Sequence, residues 1–546
     1  MSRQKFDYVI RVLTSPLAVD AAQWDALLQG QADANPFMRH AYLAALHESG
    51  AASPKTGWTP RFITLWRGAD MVAACALYLK AHSYGEYVFD HAWANAYHQH
   101  GLHYYPKAVV AVPFTPVPGA RLLARTQADR QALVQGLVAW CGEEKLSSLH
   151  LLFANDDDVA ACVSAGLMLR HTVQFHWKNV APTLVAAPRE RTEGSVRHTA
   201  LALQAAAPPD AAPLRAVQPR AGGPGAAALS PGGANFSRGG PVFSKSGEAK
   251  NCPLPDLMFR SFDDFLASLS QEKRKKIRQE RRKVAEAGVT FRWSLGADIS
   301  PSDWDFFYRC YERTYLEHGN APYLSRKFFQ RMADTMPQNW LLFVAEREGQ
   351  PIAASLIAVS SSAANSIRTD SFPANATANH IITTNSIADY VYGTLAVGLN
   401  DLQLRPEPGI SGNTTADEAI ARDTRARDTP ALHPTACEPS APERTAYGRY
   451  WGALERVDCL HFEACYYQPL QWCIEHGYQR FEGGAQGEHK MARALMPVKT
   501  SSAHWLAQPA FADAVERFLA REGQGIESYM TDLSQRSPFR NPVPQG

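Results

Sequence analysis

The stretch Tyr478-Gln-Arg-Phe-Glu-Gly-Gly-Ala-Gln-Gly-Glu-His-Lys490 predicts a short strand that ends in a loop built for ligand contact. Its apolar run stops at Gly483 and Gly484, and Gly487 follows after two residues. Glycine tolerates positive φ and lets the backbone approach a ligand closely. Loops on a rigid scaffold are where functional residues concentrate, so we expect a site here.

The loop also carries groups that can move a proton and hold an anion. Glu488 and His489 are adjacent, and a carboxylate with an imidazole suits acid–base chemistry near neutral pH. Lys490 and Arg493 are three residues apart and would share a helical face that neutralises an anion. A solvated polar loop is the alternative interpretation.

Composition limits the class of protein. A chain of 546 residues is too long for one ordinary core, so two or three domains are expected. The net charge of +2 gives no global preference for a polyanion. Nine scattered cysteines without Cys-x-x-Cys spacing, no signal-like start and no apolar run of about 20 residues predict a cytoplasmic protein without a membrane span.

The first part of the chain, residues 1–180, has the strand and helix order of an α/β domain. The predicted order is β-α-α-β-β-β-α-β-α-β, with one helix expected to begin near Leu122. Residues 181–254 are rich in Ala, Pro, Gly and Ser and are interpreted as a disordered or low-complexity linker.

The second part, residues 255–535, repeats the order of strand, two helices and hairpin, which indicates internal duplication. It would begin with a basic helix over 261–287 and carry a low-complexity insertion over 361–444, and residues 536–546 form a tail. Strands are expected at 447–452, at 459–464 and at 478–482.

Two other stretches have unusual compositions. Residues 82–105 concentrate aromatic, His and acidic side chains, which would need partners in a core and therefore predict a pocket wall. Lys273–Lys283 has eight basic residues among eleven, so it is either a solvated helix face or a site for a bound anion.

Several phrases together resemble one bacterial family, the peptidoglycan biosynthesis/recognition or FemAB-like family of the GNAT acyltransferase superfamily. The resemblance covers about residues 1–180, 255–360 and 445–535. The phrases are Asn35-Pro-Phe37, His82-Ser-Tyr-Gly-Glu86-Tyr-Val-Phe-Asp90, Trp93-Ala, Tyr104-Tyr-Pro-Lys107, Pro113-Phe-Thr-Pro116, Gly448-Arg-Tyr-Trp451, His461-Phe-Glu463, Cys465-Tyr-Tyr-Gln468 and Gly484-Ala-Gln-Gly-Glu-His-Lys490.

The resemblance implies two GNAT-like domains in tandem, each a mixed twisted sheet flanked by helices, with the low-complexity stretches as insertions. It also implies transfer of an acyl or aminoacyl group to a small-molecule or peptide amine, with a peptidoglycan precursor as a candidate acceptor. The donor would enter between two splayed parallel strands, expected at 459–464 and 478–482.

The same resemblance assigns roles to residues. Glu488 and His489 are the first choices for the general base, with Glu463 as the alternative carboxylate, and Tyr450 or Tyr466 would protonate the leaving group. Residues expected to contact substrate are His82, Glu86, Asp90, Trp93, Tyr104, Lys107, Arg449, His461, Tyr466 and Gln468. Residues expected to bind the donor or its phosphates are Gln486, Gly487, Lys490, Arg493 and Arg121.

The donor is acyl-CoA or aminoacyl-tRNA, with no tightly bound cofactor and no metal expected. The phosphate loop typical of acetyl-CoA users is only poorly approximated by 117–121, which favours aminoacyl-tRNA, and the basic segment Lys273–Lys283 fits a tRNA. Ala494 stands where the resemblance expects glycine. Two alternatives stay open: a non-catalytic GNAT-fold module that binds a cell-wall precursor or nucleic acid, and, less favoured, a metal hydrolase.

Overall fold

The structure, a computed structural model, describes residues 8–180, 258–360, 443–484 and 487–540. The predicted linker at 181–254, nearly all of the predicted insertion at 361–444, and Gln486 lie outside the described residues.

Thirteen strands in the described residues form one mixed sheet. The strands are β1 Val9–Leu13, β2 Trp58–Arg67, β3 Asp70–Lys80, β4 Lys107–Val110, β5 Leu122–Ala124, β6 Ser148–Ala154, β7 Met168–Lys178, β8 Val289–Leu295, β9 Trp340–Arg347, β10 Gln350–Val359, β11 Thr445–Ala453, β12 Arg480–Glu482 and β13 Met496–Leu506. Their order across the sheet is β1-β2-β3-β4-β6-β13-β7-β12-β11-β10-β9-β8, with β5 paired to β3.

Helices cover the sheet. They are α1 Ala21–Gln29, α2 His40–Glu48, α3 His91–Gln99, α4 Gln127–Glu143, α5 Asp156–Ser164, α6 Phe262–Ser268, α7 Gln271–Glu286, α8 Pro301–Glu317, α9 Arg326–Thr335, α10 Leu460–Phe462, α11 Gln468–Glu475 and α12 Pro509–Gln535. A π-helical turn, Glu463–Tyr467, joins α10 to α11. The described part of the chain is therefore an α/β fold.

The two halves of the chain have the same topology and exchange strands at the centre of the sheet. Each half contributes an edge strand, a hairpin and a parallel pair, β4 with β6 and β11 with β12. The last strand of the first half, β7, pairs with β12 of the second half, and β13 of the second half pairs with β6 of the first. The predicted duplication is confirmed, and the two copies share one continuous sheet.

Most predicted elements are present, and local signals explain them. Asp20 caps α1 by accepting a hydrogen bond from the Gln23 backbone N–H, as expected of an N-cap residue. The hairpins β2–β3 and β9–β10 lie where alternation and tight turns predict them.

Two helix predictions are wrong. The stretch from Leu122 is the strand β5, which pairs with β3 through Ala124 and Ala73. The single basic helix over 261–287 is two helices, because the chain turns at Leu269 and the Ser270 side chain starts a new helix by accepting from the Lys273 backbone N–H.

The strand predicted at 459–464 is also wrong, since these residues form α10 and the start of the π-helical turn. The buried residues of this stretch recur at helical spacing, and alternation over six residues hid that period. Leu460, Glu463, Ala464, Tyr467 and Leu470 are buried at this spacing, and Cys459, Tyr466 and Pro469 are buried beside them. The parallel neighbour of β12 is therefore β11.

Candidate functional site

An opening lies between β11 and β12, where the two parallel strands part. They pair through three residues, Thr445–Tyr447 against Arg480–Glu482. β12 then ends, whereas β11 continues to Ala453. The edge of β11 beyond Tyr447 is thus left facing a space instead of a neighbouring strand.

A β-bulge lies at the same point. β11 pairs with β10 through Gly448 opposite Ile357 and Tyr450 opposite Leu356, so Arg449 is the extra residue. Bulges redirect side chains and occur often beside active sites. Gly448 is required here because an added Cβ would lie 2.9 Å from the Phe481 ring.

The opening leads into two adjoining cavities of about 320 Å³ and 200 Å³ that share six lining residues. The shared residues are Tyr87, Tyr311, Tyr315, Tyr323, Arg449 and Tyr450. Residues 83–91 of the first half supply one wall, and α8, β11 and the glycines Gly483 and Gly484 supply others. The site is therefore built jointly by the two halves of the chain.

Arg449 is the main charged group of the cavities. One guanidinium nitrogen, Nη2, donates to the Phe114 carbonyl at 2.8 Å. Its Nε is buried and has no hydrogen-bond partner in the described residues. No Asp or Glu is among the described residues that line the cavities. Burial lowers the pKa of Arg449, but the hydroxyls of Tyr450, Tyr42 and Tyr87 raise it more, so the pKa stays above its ordinary value.

Tyr450 lies next to Arg449 and lines both cavities. Its hydroxyl is 3.3 Å from that of Tyr42, which is 3.2 Å from the Thr115 hydroxyl. The guanidinium of Arg449 lies 5.3 Å from the centre of the Tyr450 ring. Tyr450 is thus the predicted catalytic residue that the structure brings to the cavity.

Lys107 lies behind the wall formed by residues 83–91 and does not line the cavities. Its side chain is fully buried, and Nζ donates to Ser83 Oγ and Glu86 Oε2, each at 2.8 Å, and to Asp90 Oδ2. Asp90 also accepts a hydrogen bond of 2.6 Å from the Tyr104 hydroxyl. These residues hold the wall in place from inside the protein.

The pKa values of Glu86 and Asp90 are shifted in opposite directions. Burial raises the pKa of Glu86 to about 7, although Lys107 opposes the shift. Burial also acts on Asp90, but Lys107 and His150 outweigh it and hold the pKa of Asp90 well below its ordinary range. Asp90 is therefore the ionised partner of Lys107.

His82 and Trp93 are not among the residues that line the cavities. The His82 Nδ1 accepts from the Tyr84 backbone N–H at 3.2 Å, and burial, with Lys80 nearby, lowers the His82 pKa to about 4. Trp93 is on α3, a helix within the predicted wall, and packs 5.0 Å from the His504 ring.

The loop after β12 reaches the cavities through Gly483 and Gly484. Glu488 is exposed instead, and it accepts from the Tyr529 hydroxyl at 2.6 Å and from Arg536 Nη1 at 3.1 Å. These two partners lower its pKa. His489 is exposed as well, with Nε2 at 3.5 Å from the Tyr466 hydroxyl.

Lys490 and Arg493 are buried and point into the protein. Arg493 Nη2 contacts both carboxylate oxygens of Glu280 at 2.9 Å, and its guanidinium lies 3.6 Å from the centre of the Phe462 ring. Lys490 Nζ donates to the Gly484 carbonyl at 3.2 Å, and burial lowers its pKa to about 8. Arg493 thus neutralises a carboxylate of α7, and Lys490 supports the glycine turn at the cavity.

The π-helical turn holds the alternative carboxylate. Glu463 is buried, accepts from Arg281 Nε at 3.1 Å and 3.2 Å, and accepts from Gln468 Nε2 at 2.8 Å. His461 packs beside Trp451 and Tyr466, with ring centres 5.5 Å and 5.8 Å away. Trp451 lines the larger cavity, so His461 lies one ring behind it.

In the first half, described residues occupy the space beside β6 that corresponds to this opening. The Arg121 guanidinium fills the space by donating to Leu152 O at 3.0 Å and to Gly119 O at 3.3 Å, and Gly119 forms a parallel bridge with Ala154. Arg121 is fully buried, and burial lowers its pKa to about 10. Its donors hold backbone carbonyls of the first half.

The basic helix α7 has two faces. Glu280 and Arg281 point inward to the pairs described above, with Ile277 and Val284 buried beside them. The opposite face is basic, and its exposed side chains are Lys275, Lys276, Arg278 and Arg282.

Gly487 lies in the loop after β12. It adopts a φ of 141° beside the His489 ring and precedes the short turn that carries Arg493, which pairs with α7.

The tyrosines of α8 were not among the residues that the sequence predicted for the site. Tyr311 and Tyr315 are four residues apart, and an aromatic pair at that spacing indicates a core helix face. Tyrosine in place of Phe or Leu at these positions was the one indication of a cavity, because a buried hydroxyl group needs a hydrogen-bond partner or a solvent-filled cavity.

Two further properties concern the described residues only. None of their helices is long and apolar enough to cross a membrane. Within the same ranges, no three His, Cys, Asp or Glu side chains are grouped so that they could hold a metal ion.

Comparison with known proteins gives one family. The sequence model of the FemAB-like family, described as peptidoglycan biosynthesis/recognition, matches residues 15–183, 255–364 and 440–541. No curated protein matches the chain.

Solved structures with similar folds cover nearly all of the chain at low identity. The crystal structure of FemX has 8% identity and a TM-score of 0.40, over 91% of this chain and 98% of that one. The C-terminal domain of a putative lysylphosphatidylglycerol synthetase from Agrobacterium fabrum has 9% identity and a TM-score of 0.38, over 92% and 95%. A tandem GNAT protein from the clavulanic acid biosynthesis pathway has 11% identity and a TM-score of 0.34, over 92% and 99%. The match of the family model confirms the predicted resemblance to the FemAB-like family.

Proposed function

Because the chain belongs to the FemAB-like family, we propose that it is an N-acyltransferase that moves an acyl or aminoacyl group onto an amine, with a peptidoglycan precursor as the candidate acceptor. The observation that carries the proposal is the opening between β11 and β12, which leads into the cavity lined by Arg449 and Tyr450. Acyl transfer needs a site that orients a carbonyl against an amine and excludes water.

The exposed edge of β11 supports a role in carbonyl binding. Backbone N–H groups aimed at a developing oxyanion stabilise the tetrahedral intermediate of acyl transfer. The early end of β12 leaves this edge open, and the bulge at Arg449 lies where Gly448 and Gly484 let the donor come close to the backbone. Tyr450 would then donate a proton to the leaving group as the carbonyl re-forms.

Two alternatives are proposed for the general base that removes a proton from the attacking amine. Glu488 and His489 stay proposals, and both would need the loop after β12 to turn towards the cavity. His91 and His318 already line the larger cavity and are the proposed alternatives, because an imidazole can accept a proton near neutral pH. Glu488→Gln and His318→Gln therefore separate the two possibilities by which of them lowers kcat.

Aminoacyl-tRNA is the proposed donor, with acyl-CoA as the alternative. The exposed basic face of α7, Lys275 to Arg282, supports a polyanionic partner, because clustered Lys and Arg side chains hold phosphates. Reversing the charge of Lys275, Lys276 and Arg282 to Glu would raise KM for a tRNA donor without changing transfer from acyl-CoA.

A non-catalytic binding protein of the same fold is a second candidate. It is favoured by one observation, the absence of Asp and Glu among the described residues that line the cavities. A general base is then limited to the histidines or to the substrate itself.

The deciding experiment follows a labelled acyl group. The purified chain would be incubated with labelled aminoacyl-tRNA or acyl-CoA and with amine-bearing peptidoglycan precursors, and products would be read by mass spectrometry. We expect label on the acceptor, and a loss of at least tenfold in Arg449→Gln but not in Arg309→Gln, an exposed arginine of α8. Acceptor binding without label transfer from either donor would leave the binding protein as the function.

A further inference from the structure

The cavity wall is a continuous series of aromatic rings that ends at a guanidinium. Phe114 stacks on Tyr323 at 4.7 Å, Tyr323 meets Tyr315 at 5.6 Å, Tyr315 meets Tyr311 at 4.9 Å, and Tyr311 meets Tyr450 at 5.7 Å. A flat apolar group placed against this wall would bury its face on several rings.

The charge at the end of the wall is a single positive one. The Arg449 side chain donates one bond to the Phe114 carbonyl, and its buried Nε has no partner in the described residues. A guanidinium presents donors in a fixed fork that matches a carboxylate or a phosphate. Arg449 lines both cavities, so an anionic group of a ligand bound there would meet its guanidinium.

The lining argues against two other ligand classes. Tyrosine walls bind cations through their ring faces, but Arg449 repels a second positive charge, and no carboxylate of the described lining residues compensates it. A sugar would bring several hydroxyl donors that need strong acceptors, and the described lining offers no carboxylate for them.

We infer that this cavity binds a group in which a carboxylate or phosphate lies next to an aromatic or other flat apolar ring, and that it rejects cationic groups such as a lysyl side chain. The inference deepens the proposed function, because it names the class of acyl or acceptor group that the same site would take.

The test measures binding of four probes, and of the sugar acid N-acetylmuramic acid as a comparison, to the full chain by saturation-transfer NMR and calorimetry. N-acetyl-L-phenylalanine carries ring and carboxylate, its amide carries the ring alone, N-acetylglycine carries the carboxylate alone, and 2-phenylethylamine carries a ring with a cation. We expect N-acetyl-L-phenylalanine to bind about tenfold more tightly than its amide and than N-acetylglycine, and the amine not to bind.

Variants assign the two determinants separately. Arg449→Gln should abolish the preference for carboxylate over amide, Arg449→Lys should retain part of it, and the exposed control Arg309→Gln should change nothing. Tyr315→Leu should remove the preference for the ring and keep that for the carboxylate, which tests the inference even if Arg449→Gln fails to fold.

Three results would overturn the inference: tighter binding of 2-phenylethylamine, tighter binding of the sugar acid N-acetylmuramic acid than of N-acetyl-L-phenylalanine, or an unchanged carboxylate preference in a folded Arg449→Gln. None of the probes has to react. A probe pattern as expected without label transfer would therefore refute the proposed function alone, and transfer with the wrong probe pattern would refute the inference alone.

Discussion

Replacing Lys107 with methionine should destabilise the protein by about 3–5 kcal/mol, because it leaves buried carboxylates without their cation. The side chains of Lys107, Glu86 and Asp90 are 0%, 1% and 3% exposed. Glu86 can take up a proton, since burial already raises its pKa to about 7, so most of the cost falls on Asp90. The free energy of unfolding would be measured by urea titration with circular dichroism at pH 7.

The stability that Lys107→Met loses relative to wild type should also depend on pH. In Lys107→Met both carboxyl groups have folded pKa values above their unfolded ones, and stability from such groups is present below the unfolded pKa and lost as pH rises. The deficit should therefore shrink between pH 7 and pH 5. The triple variant that adds Glu86→Gln and Asp90→Asn should recover most of the loss, whereas the exposed Lys275→Met should be neutral. If the free energy of unfolding of Lys107→Met lies within about 1 kcal/mol of the wild-type value, Lys107 does not stabilise a buried ion cluster.

Three further outcomes are expected. Gly452→Ala should strongly lower the melting temperature, because an added Cβ would lie 1.9 Å from the Cys310 carbonyl oxygen, whereas Gly525→Ala, with nothing within 4 Å, should be neutral or stabilising. Burial lowers the pKa of His461 to about 3, so its contribution to stability is present above pH 6.5 and is lost as pH falls. His461→Phe should therefore lose less stability in acid than wild type, by up to about 1.4 kcal/mol per pH unit between pH 6 and pH 4. If the free energy of unfolding from urea titration falls equally steeply with pH in both proteins, this prediction is refuted. Ser270→Ala should cost about 1 kcal/mol by removing the cap of α7, and a change below about 0.3 kcal/mol in the same titration would deny the cap a role.

The sequence predicted the fold wherever one local period dominates. The hairpins, α4 and the duplication follow from alternation, caps and repeated order. The errors arose where a short pattern fits two periods. Residues 459–464 alternate like a strand, and only their continuation into Gln468–Glu475 indicates a helix.

The site was predictable in part, because chemistry-bearing residues can face inward as well as outward. Arg449 and Tyr450 line the cavity, but Lys107 and Arg493, equally polar, are buried in ion pairs with carboxylates. Pairings across more than 200 residues, such as Arg493 with Glu280, leave no local signal in a single sequence. The tyrosines of α8 were missed for another reason, because aromatic residues four apart also fit a buried helix face.

The strand exchange at the centre of the sheet has a consequence for how this protein can be dissected. Expressed alone, a polypeptide ending near residue 180 would offer β6 and β7 with a gap one strand wide between them, and the remaining polypeptide would carry the missing β13. Because each piece lacks a strand that the other supplies, the two pieces are obligate partners. Mixed together, they should reassemble into one particle, whereas either piece by itself would present bare backbone edges to aggregation.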